Sequence, residues 1–327
     1  PLAAPASTNF NVLLILCDDL NDFEGAFGGH PQALTPNMDA LAADGVRFLN
    51  AHSAAPICGP SRSCFMTGIY PHTSSNYGFE NWYNPGRANF QTNTILENSK
   101  TLMRYMRDNG YMSYGTGKIM HYDLTDNYVY PAGHPEAGNL QQDWDETGAK
   151  SWAGPVAFDP NANSGAGEAL NHPMIPATFY DGAGSLNSLF GSLTNVPTVN
   201  GYTGWWYSTW KSAGAFNYVD DNNRSDMQDE LVRKWAVDKI NALAASDPTG
   251  ENEKFFMSVG FHNPHTPLVS PQEYFDLYPL ETLQLPPRLA DDVDDTHFNR
   301  NVPPNTSTLK VYSSMVDAVG EAAADDT

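Results

Sequence analysis

The stretch Cys58-Gly59-Pro60-Ser61-Arg62-Ser63-Cys64-Phe65-Met66-Thr67-Gly68 places a thiol, a rigid turn, a hydroxyl and a guanidinium at the mouth of a predicted helix, Ser61 to Thr67. Proline in a first helical turn lacks the N–H that would be orphaned there. The remaining free N–H groups and the partial positive charge of a helix start favour an anion. Arg62 lies one turn from Cys58 and can offer a two-pronged hydrogen bond to an oxyanion; Ser61 can cap or relay. The plainer alternative for Cys58 is a buried cysteine in a Pro-Ser turn.

Three further groups carry chemistry. Asp18-Asp19 ends an apolar run, and ligands of open α/β sheets gather beyond the carboxyl ends of strands. Adjacent carboxylates repel unless a cation compensates, and a hard divalent ion with oxygen ligands suits them; a solvated acidic turn is the alternative. Gly117-Lys118-Ile119-Met120-His121 sets a lysine and a histidine three apart after a predicted strand. By residue type alone these read as surface groups. Gly260-Phe261-His262-Asn263-Pro264-His265 fixes two histidines about a proline at another strand end, where an imidazole can protonate a leaving alkoxide near neutral pH. A satisfied loop residue is the alternative for His265. His30 and His52 have no motif around them and are read as structural.

The elements that must position these groups alternate between strand and helix. Asn11 to Cys17 is a continuous apolar run, the pattern of a fully buried strand. Thr35-Pro36 through Gly45 carries a cap, an early proline and a terminating glycine. Val46 to Asn50 suggests a short strand, Leu102 to Asn109 a helix closed by Gly110, and Tyr111 to Tyr114 a strand. Ser225 to Ala245 has a helical stripe at Met227, Leu231, Trp235, Ile240 and Leu243, and Phe255 to Phe261 is another buried strand. A last helix is expected over Ser307 to Val319. The alternation implies a doubly wound α/β sheet. Residues 123–221, rich in Gly, Pro, Asn, Trp and Tyr, read as a loop-rich aromatic insertion within one domain of 1–327, packed on the sheet and suited to substrate selection.

Composition narrows the partners. The 327 residues are 41% hydrophobic, enough for a sizeable core. A net charge of -21 argues against nucleic acid and requires any anionic substrate to be captured by a local cluster of cations. Cys17, Cys58 and Cys64 make no disulfide framework, and no run reaches the length of a membrane span. The opening Pro-Leu-Ala-Ala-Pro-Ala-Ser fits the remainder of a cleaved signal peptide and points to a secreted or periplasmic protein, lysosomal if eukaryotic.

Taken together the four groups resemble, in order, the signature of type I, formylglycine-dependent sulfatases of the alkaline phosphatase superfamily, and are most similar to the iduronate-2-sulfatase-like branch. The resemblance implies a mostly parallel sheet sandwiched by helices. It implies that Cys58 is oxidised to formylglycine by a formylglycine-generating or anaerobic sulfatase-maturating enzyme, and that Asp18, Asp19 and the modified Cys58 ligate calcium or magnesium. Arg62 and the metal would stabilise the aldehyde hydrate as an alkoxide that attacks sulfur. Lys118 would bind sulfate, His262 would contact it and protonate the leaving alcohol, His121 would act as base, and His265 would line the substrate site. The implied substrate is a sulfated carbohydrate or another sulfate ester. Asn263 stands where relatives usually carry lysine, which removes one cation. Family members continue past the Val-Asp-Ala helix, here Val316-Asp317-Ala318, to an Asp-His or Asp-Asn pair and a lysine, and no such pair occurs before Thr327; Asp325-Asp326 follows no strand. The C-terminal part of the family fold is therefore expected to be absent, with the rest of the metal site supplied by a missing segment or a second chain, or lost with catalysis. Two other readings remain: an incomplete or inactive module binding sulfated glycans through Trp205, Trp206, Tyr207 and Trp210, and a phosphate or phosphonate ester hydrolase of the same superfamily.

Overall fold

A computed structural model describes residues 10–80, 82, 91–121, 128–129, 140–141, 143–150, 156–159, 168–169, 190–195, 205–206, 215–249, 253–266 and 268–284. The chain divides into two compact units. The first comprises residues 1–19, 50–152 and 226–263, and holds the main sheet. Its strands are β1 (Val12–Asp18), β2 (Tyr111–Gly117), β3 (Glu146–Lys150) and β4 (Lys254–Pro264), in the order β1-β4-β2-β3. β4 and β2 run parallel from Lys254 opposite Tyr111 to Gly260 opposite Gly117, and β3 adds to β2 in the same direction. Parallel neighbours put their carboxyl ends at one edge of the sheet, and that edge carries Lys118 and His262.

Alternation along β4 splits the core into two layers. Phe256 points to a cluster with Met66, Leu96, Met103, Ile119, Met120 and Trp144, which packs the helices Cys58–Thr67 and Leu102–Asp108 on one face. Met257 and Val259 point to the other face, where Tyr114 meets Val232 and Ala236 of the long helix Gln228–Ser246. Helices on both faces of a mainly parallel sheet are the doubly wound architecture that the sequence alternation predicts.

Several local expectations shift. The helix of the cysteine motif begins at Cys58 and not after Pro60, because Ser61 N already bonds Ile57 O at 3.1 Å. Its N-cap is Ile57, without a side-chain cap. Ser61 does not cap; its hydroxyl pairs with Ser53 Oγ at 2.8 Å. β1 is not fully buried: Val12, Leu14 and Leu16 pack on the core, whereas Leu13 and Ile15 are exposed. Residues 46–50 form no strand, and Arg47 instead donates to Ala26 O. The buried stripe of the long helix runs through Gln228, Val232 and Ala236, one position from the predicted stripe; Trp235, Ile240 and Leu243 flank it half-buried.

The second unit comprises residues 20–49, 153–225 and 264–327. It contains the helix Pro36–Asp44 and a small sheet whose neighbouring strands, Val156–Asp159, Glu168–Ala169, Trp205–Trp206 and Ala215–Phe216, pair antiparallel. Strands this short leave no period to read in sequence. Trp205 is 2% exposed and donates its indole N–H to Leu193 O at 2.9 Å, so it is a packing residue and not a sugar platform. Tyr207, Trp210, the helix expected over Ser307 to Val319 and Asp325-Asp326 lie outside the described residues.

Candidate active site

The carboxyl ends of β1 and β2 meet the first turn of the helix Cys58–Thr67. Asp18, the last residue of β1, is 4% exposed; Arg62 is 8% exposed and Lys118 5%. Arg62 Nη2 donates to Asp18 Oδ1 at 2.8 Å, and the Lys118 ammonium pairs with Asp18 Oδ2. Buried charges persist only when paired, and here one carboxylate is shared by two cations. The cluster therefore carries an excess positive charge inside a chain whose net charge is -21. Burial would push the Asp18 carboxyl up, but Arg62 and Lys118 outweigh it and hold it below the ordinary carboxylate range.

Cys58 Sγ and an Asp18 carboxylate oxygen lie within 4.8 Å of each other. Burial raises the Cys58 thiol, Asp18 and Asp19 raise it further, and Lys118 pulls against them. The net direction is upward, which disfavours a thiolate. Asp19 is exposed and sits in the left-handed region, with φ 57°. Aspartate visits that region more readily than most residues. Carboxylate oxygens at Asp18 and Asp19 suit a hard cation such as calcium or magnesium. A protonated thiol does not, but an oxygen at position 58 would complete a hard donor set.

Arg62 does more than face Asp18. Its Nη1 donates to Lys118 O at 2.5 Å and to Ile119 O at 2.9 Å, locking the chain just past β2 against the cysteine helix. Ile119 and Met120 anchor that segment in the core, so Lys118 turns inward while His121 emerges half-buried and stacked on Phe79, ring centroids 4.7 Å apart. His262 is 6% exposed, at the end of β4. His265 belongs to the second unit, half-buried, with Nδ1 2.6 Å from Thr266 O.

Three positioning features escaped the sequence reading. Asp229, in the first turn of the long helix, accepts His262 N at 2.7 Å and Asn263 N at 2.9 Å, one on each carboxylate oxygen. Burial pushes its carboxyl up while those two N–H groups pull it down, and the upward push prevails. Gly117 and Gly260 face each other across β2 and β4; a Cβ on Gly117 would lie 2.0 Å from Gly260 O, and one on Gly260 would lie 2.0 Å from Lys118 O. Ser63 Oγ donates to Gly59 O at 2.8 Å and accepts Trp82 Nε1 at 2.7 Å, fixing the first turn of the cysteine helix. A glycine just before Lys118 and another two residues before His262 were legible signals; nothing distinguished Asp229 from its acidic neighbours.

Comparison with known proteins bears on this geometry. The sulfatase family model matches residues 10–319. A sulfatase of Formosa agariphila is 32% identical over 287 residues, covering 87% of this chain and 45% of that protein. The iduronate 2-sulfatase of Mus musculus is 26% identical over 303 residues, covering 91% of this chain and 42% of the relative. Among solved structures, Ps i-CgsB in complex with k-i-k-neocarrahexaose aligns over 97% of this chain and 54% of that one, at 18% identity and a TM-score of 0.44. The chain thus spans less than half the length of these two curated relatives. With a family match over nearly its whole length and a buried cation cluster beside the cysteine of its motif, the chain belongs to the sulfatase family.

Proposed function

We propose that this chain carries the sulfate-binding and nucleophile-bearing part of a sulfate ester hydrolase acting on a sulfated carbohydrate. The observation that carries the reading is the buried Asp18–Arg62–Lys118 cluster beside Cys58, with two cations against one carboxylate. An oxyanion entering there takes up hydrogen bonds from Arg62 and Lys118 in a poorly solvated pocket, where such donors act most strongly. The uncapped start of the helix Cys58–Thr67 adds partial positive charge. The upward-shifted thiol argues against cysteine itself as nucleophile; conversion to formylglycine by a maturating enzyme would put an oxygen donor there instead.

When bound at Asp18, Asp19 and position 58, a calcium or magnesium ion supplies charge neutralisation at the attacked sulfate. A formylglycine at position 58 supplies an oxygen nucleophile through its hydrate. The chain's own residues orient and protonate. Lys118 holds sulfuryl oxygens, Arg62 faces the oxygen borne at position 58, His262 keeps a proton for the departing alcohol oxygen, and His121 is the base that takes a proton as sulfate is released. Asp229 fixes the backbone of His262 and so the height of its imidazole. The likeness to the mouse iduronate 2-sulfatase supports a sulfated sugar as substrate class.

Sulfate release from a sulfated oligosaccharide and from an aryl sulfate, measured beside phosphate release from the matching aryl phosphate, tests the reading. Sulfate turnover should dominate and should vanish in Cys58→Ala, and the native peptide around position 58 should be about 18 Da lighter than encoded. Full activity with an unmodified thiol, or survival of turnover in Cys58→Ala, refutes it.

A further inference from the structure

Phe79 is a large apolar side chain whose place burial does not explain. It is 53% exposed, yet the loop that carries it is tied down on both sides, within the first unit. Glu80 accepts Gly78 N at 2.9 Å and Asn76 Nδ2 at 3.4 Å, which closes the loop on itself. Asn93 donates its amide to Ser74 O at 2.9 Å and fixes the loop's start. Gly78 O rests against the cysteine helix: a Cβ on Gly59 would lie 2.5 Å from it and 3.6 Å from Phe79 Cα. One helical turn further along, Trp82 Nε1 donates to Ser63 Oγ at 2.7 Å. Phe79 therefore stands between two anchors on the helix that begins at Cys58, the first of them on the residue next to Cys58.

The ring that this loop carries lies on His121. The two centroids are 4.7 Å apart and the planes are inclined by 29°. Aromatic rings favour offset contacts of this kind over other arrangements. An imidazole that must take a proton has to present one ring nitrogen within hydrogen-bond reach of it. A half-exposed histidine has several rotamers to choose from, and a flat neighbour selects among them by setting the ring plane. The backbone that leads to His121 is held from the same helix, because Arg62 Nη1 donates to Lys118 O and Ile119 O. Both the approach to His121 and its ring are thus referenced to the helix that carries position 58. We propose that Phe79 is a positioning residue, which holds the His121 imidazole in register with position 58 for the release of sulfate. The inference rests on the sulfatase reading above and deepens it: the base is placed by an aromatic strut built on the nucleophile's own helix.

The first test uses the unmodified full chain and the nuclear magnetic resonances of its histidine rings. Stacking on Phe79 shifts the His121 ring protons upfield, and His121→Gln identifies them among the nine histidines. Phe79→Leu should move them downfield and leave the other histidines in place, while Phe79→Tyr should keep them near their wild-type positions. Unmoved His121 resonances in Phe79→Leu overturn the proposal. The matured enzyme gives the second readout, through turnover of an aryl sulfate. His121 acts after the alcohol has left, so a misplaced His121 lowers kcat and KM together and spares kcat/KM. Phe79→Leu should lower kcat about tenfold, the scale expected for a small displacement of a positioned group, and Phe79→Tyr should recover most of the loss. In His121→Gln, adding Phe79→Leu should cost less than about twofold more, because the two side chains act as one unit. An equal further loss in that background, or a loss confined to kcat/KM, overturns the positioning role. If the His121 resonances respond as expected while the wild-type protein releases no sulfate, the proposed function fails and the placement of the ring stands.

Discussion

Replacing Gly260 by alanine asks whether the close approach of two strand ends is what keeps Lys118 in the charge cluster. A Cβ at this position lies 2.0 Å from Lys118 O, 2.3 Å from its carbonyl carbon and 2.8 Å from its nitrogen. All three are backbone atoms, so no side chain can rotate out of the way. The ends of β2 and β4 must part, and the 2.8 Å hydrogen bond from Lys118 N to Gly260 O is the first to go. Overpacking of this kind costs about 1–3 kcal/mol, and the lost hydrogen bond adds roughly 0.5–1.5 kcal/mol. The expected destabilisation is about 1.5–4.5 kcal/mol. Gly110→Ala is the control: its φ is +86° but a Cβ meets nothing within 4 Å, so only backbone strain of about 1–2 kcal/mol applies. Urea unfolding measures both, and calorimetry measures binding of inorganic sulfate. Gly260→Ala should lose stability and sulfate affinity together, whereas Gly110→Ala should lose a little stability and no affinity. A Gly260→Ala protein within about 0.5 kcal/mol of wild type and binding sulfate normally would refute the steric argument.

Other consequences can be measured in the same way. Asp18→Asn strips the counter-charge from two buried cations and should destabilise by about 3–5 kcal/mol in urea unfolding; a loss under about 1 kcal/mol would mean the cluster is solvated. Because the folded Asp18 carboxyl is held below its unfolded value of about 3.9, its contribution is present above that pH and disappears as acid titrates the folded group, so wild-type stability should fall below about pH 4 more steeply than that of Asp18→Asn. Asp229→Asn keeps shape but turns an amide N–H toward a backbone N–H, and should cost about 1–3 kcal/mol while disturbing the pH profile of turnover through His262; an unchanged profile would assign Asp229 to stability alone. In unmodified protein the Cys58 thiol, pushed up by burial, should alkylate more slowly at neutral pH than a model thiol and accelerate as pH rises; rapid labelling at pH 7 would contradict its environment.

Much of the fold was written in local signals. β1, the helix Leu102–Asp108 and β4 stand where an apolar run, a cap or a terminating glycine marks them, because those signals act within a few residues. The charged pair at the end of β1 and the Cys58–Arg62 spacing were equally legible, since one helical turn alone places residue 62 beside residue 58. What escaped depends on partners far apart in sequence. That Arg62 and Lys118 converge on Asp18 follows from strand order, which no window of residues encodes. Asp229 looked like one acid among several until the start of its helix was set against the end of β4.

The exposure of Leu13 and Ile15 could not be read from their type, because an apolar run gives length and hydrophobicity but not which face is covered. Trp205 looked like a sugar platform for the same reason: an indole suits a core or a binding surface equally until its neighbours are known. Residue types and short spacings thus fixed which chemistry the chain can carry. Only the three-dimensional arrangement decided which charges are buried together and which backbone groups a carboxylate such as Asp229 holds, since burial and pairing belong to the packed molecule and not to any segment of it.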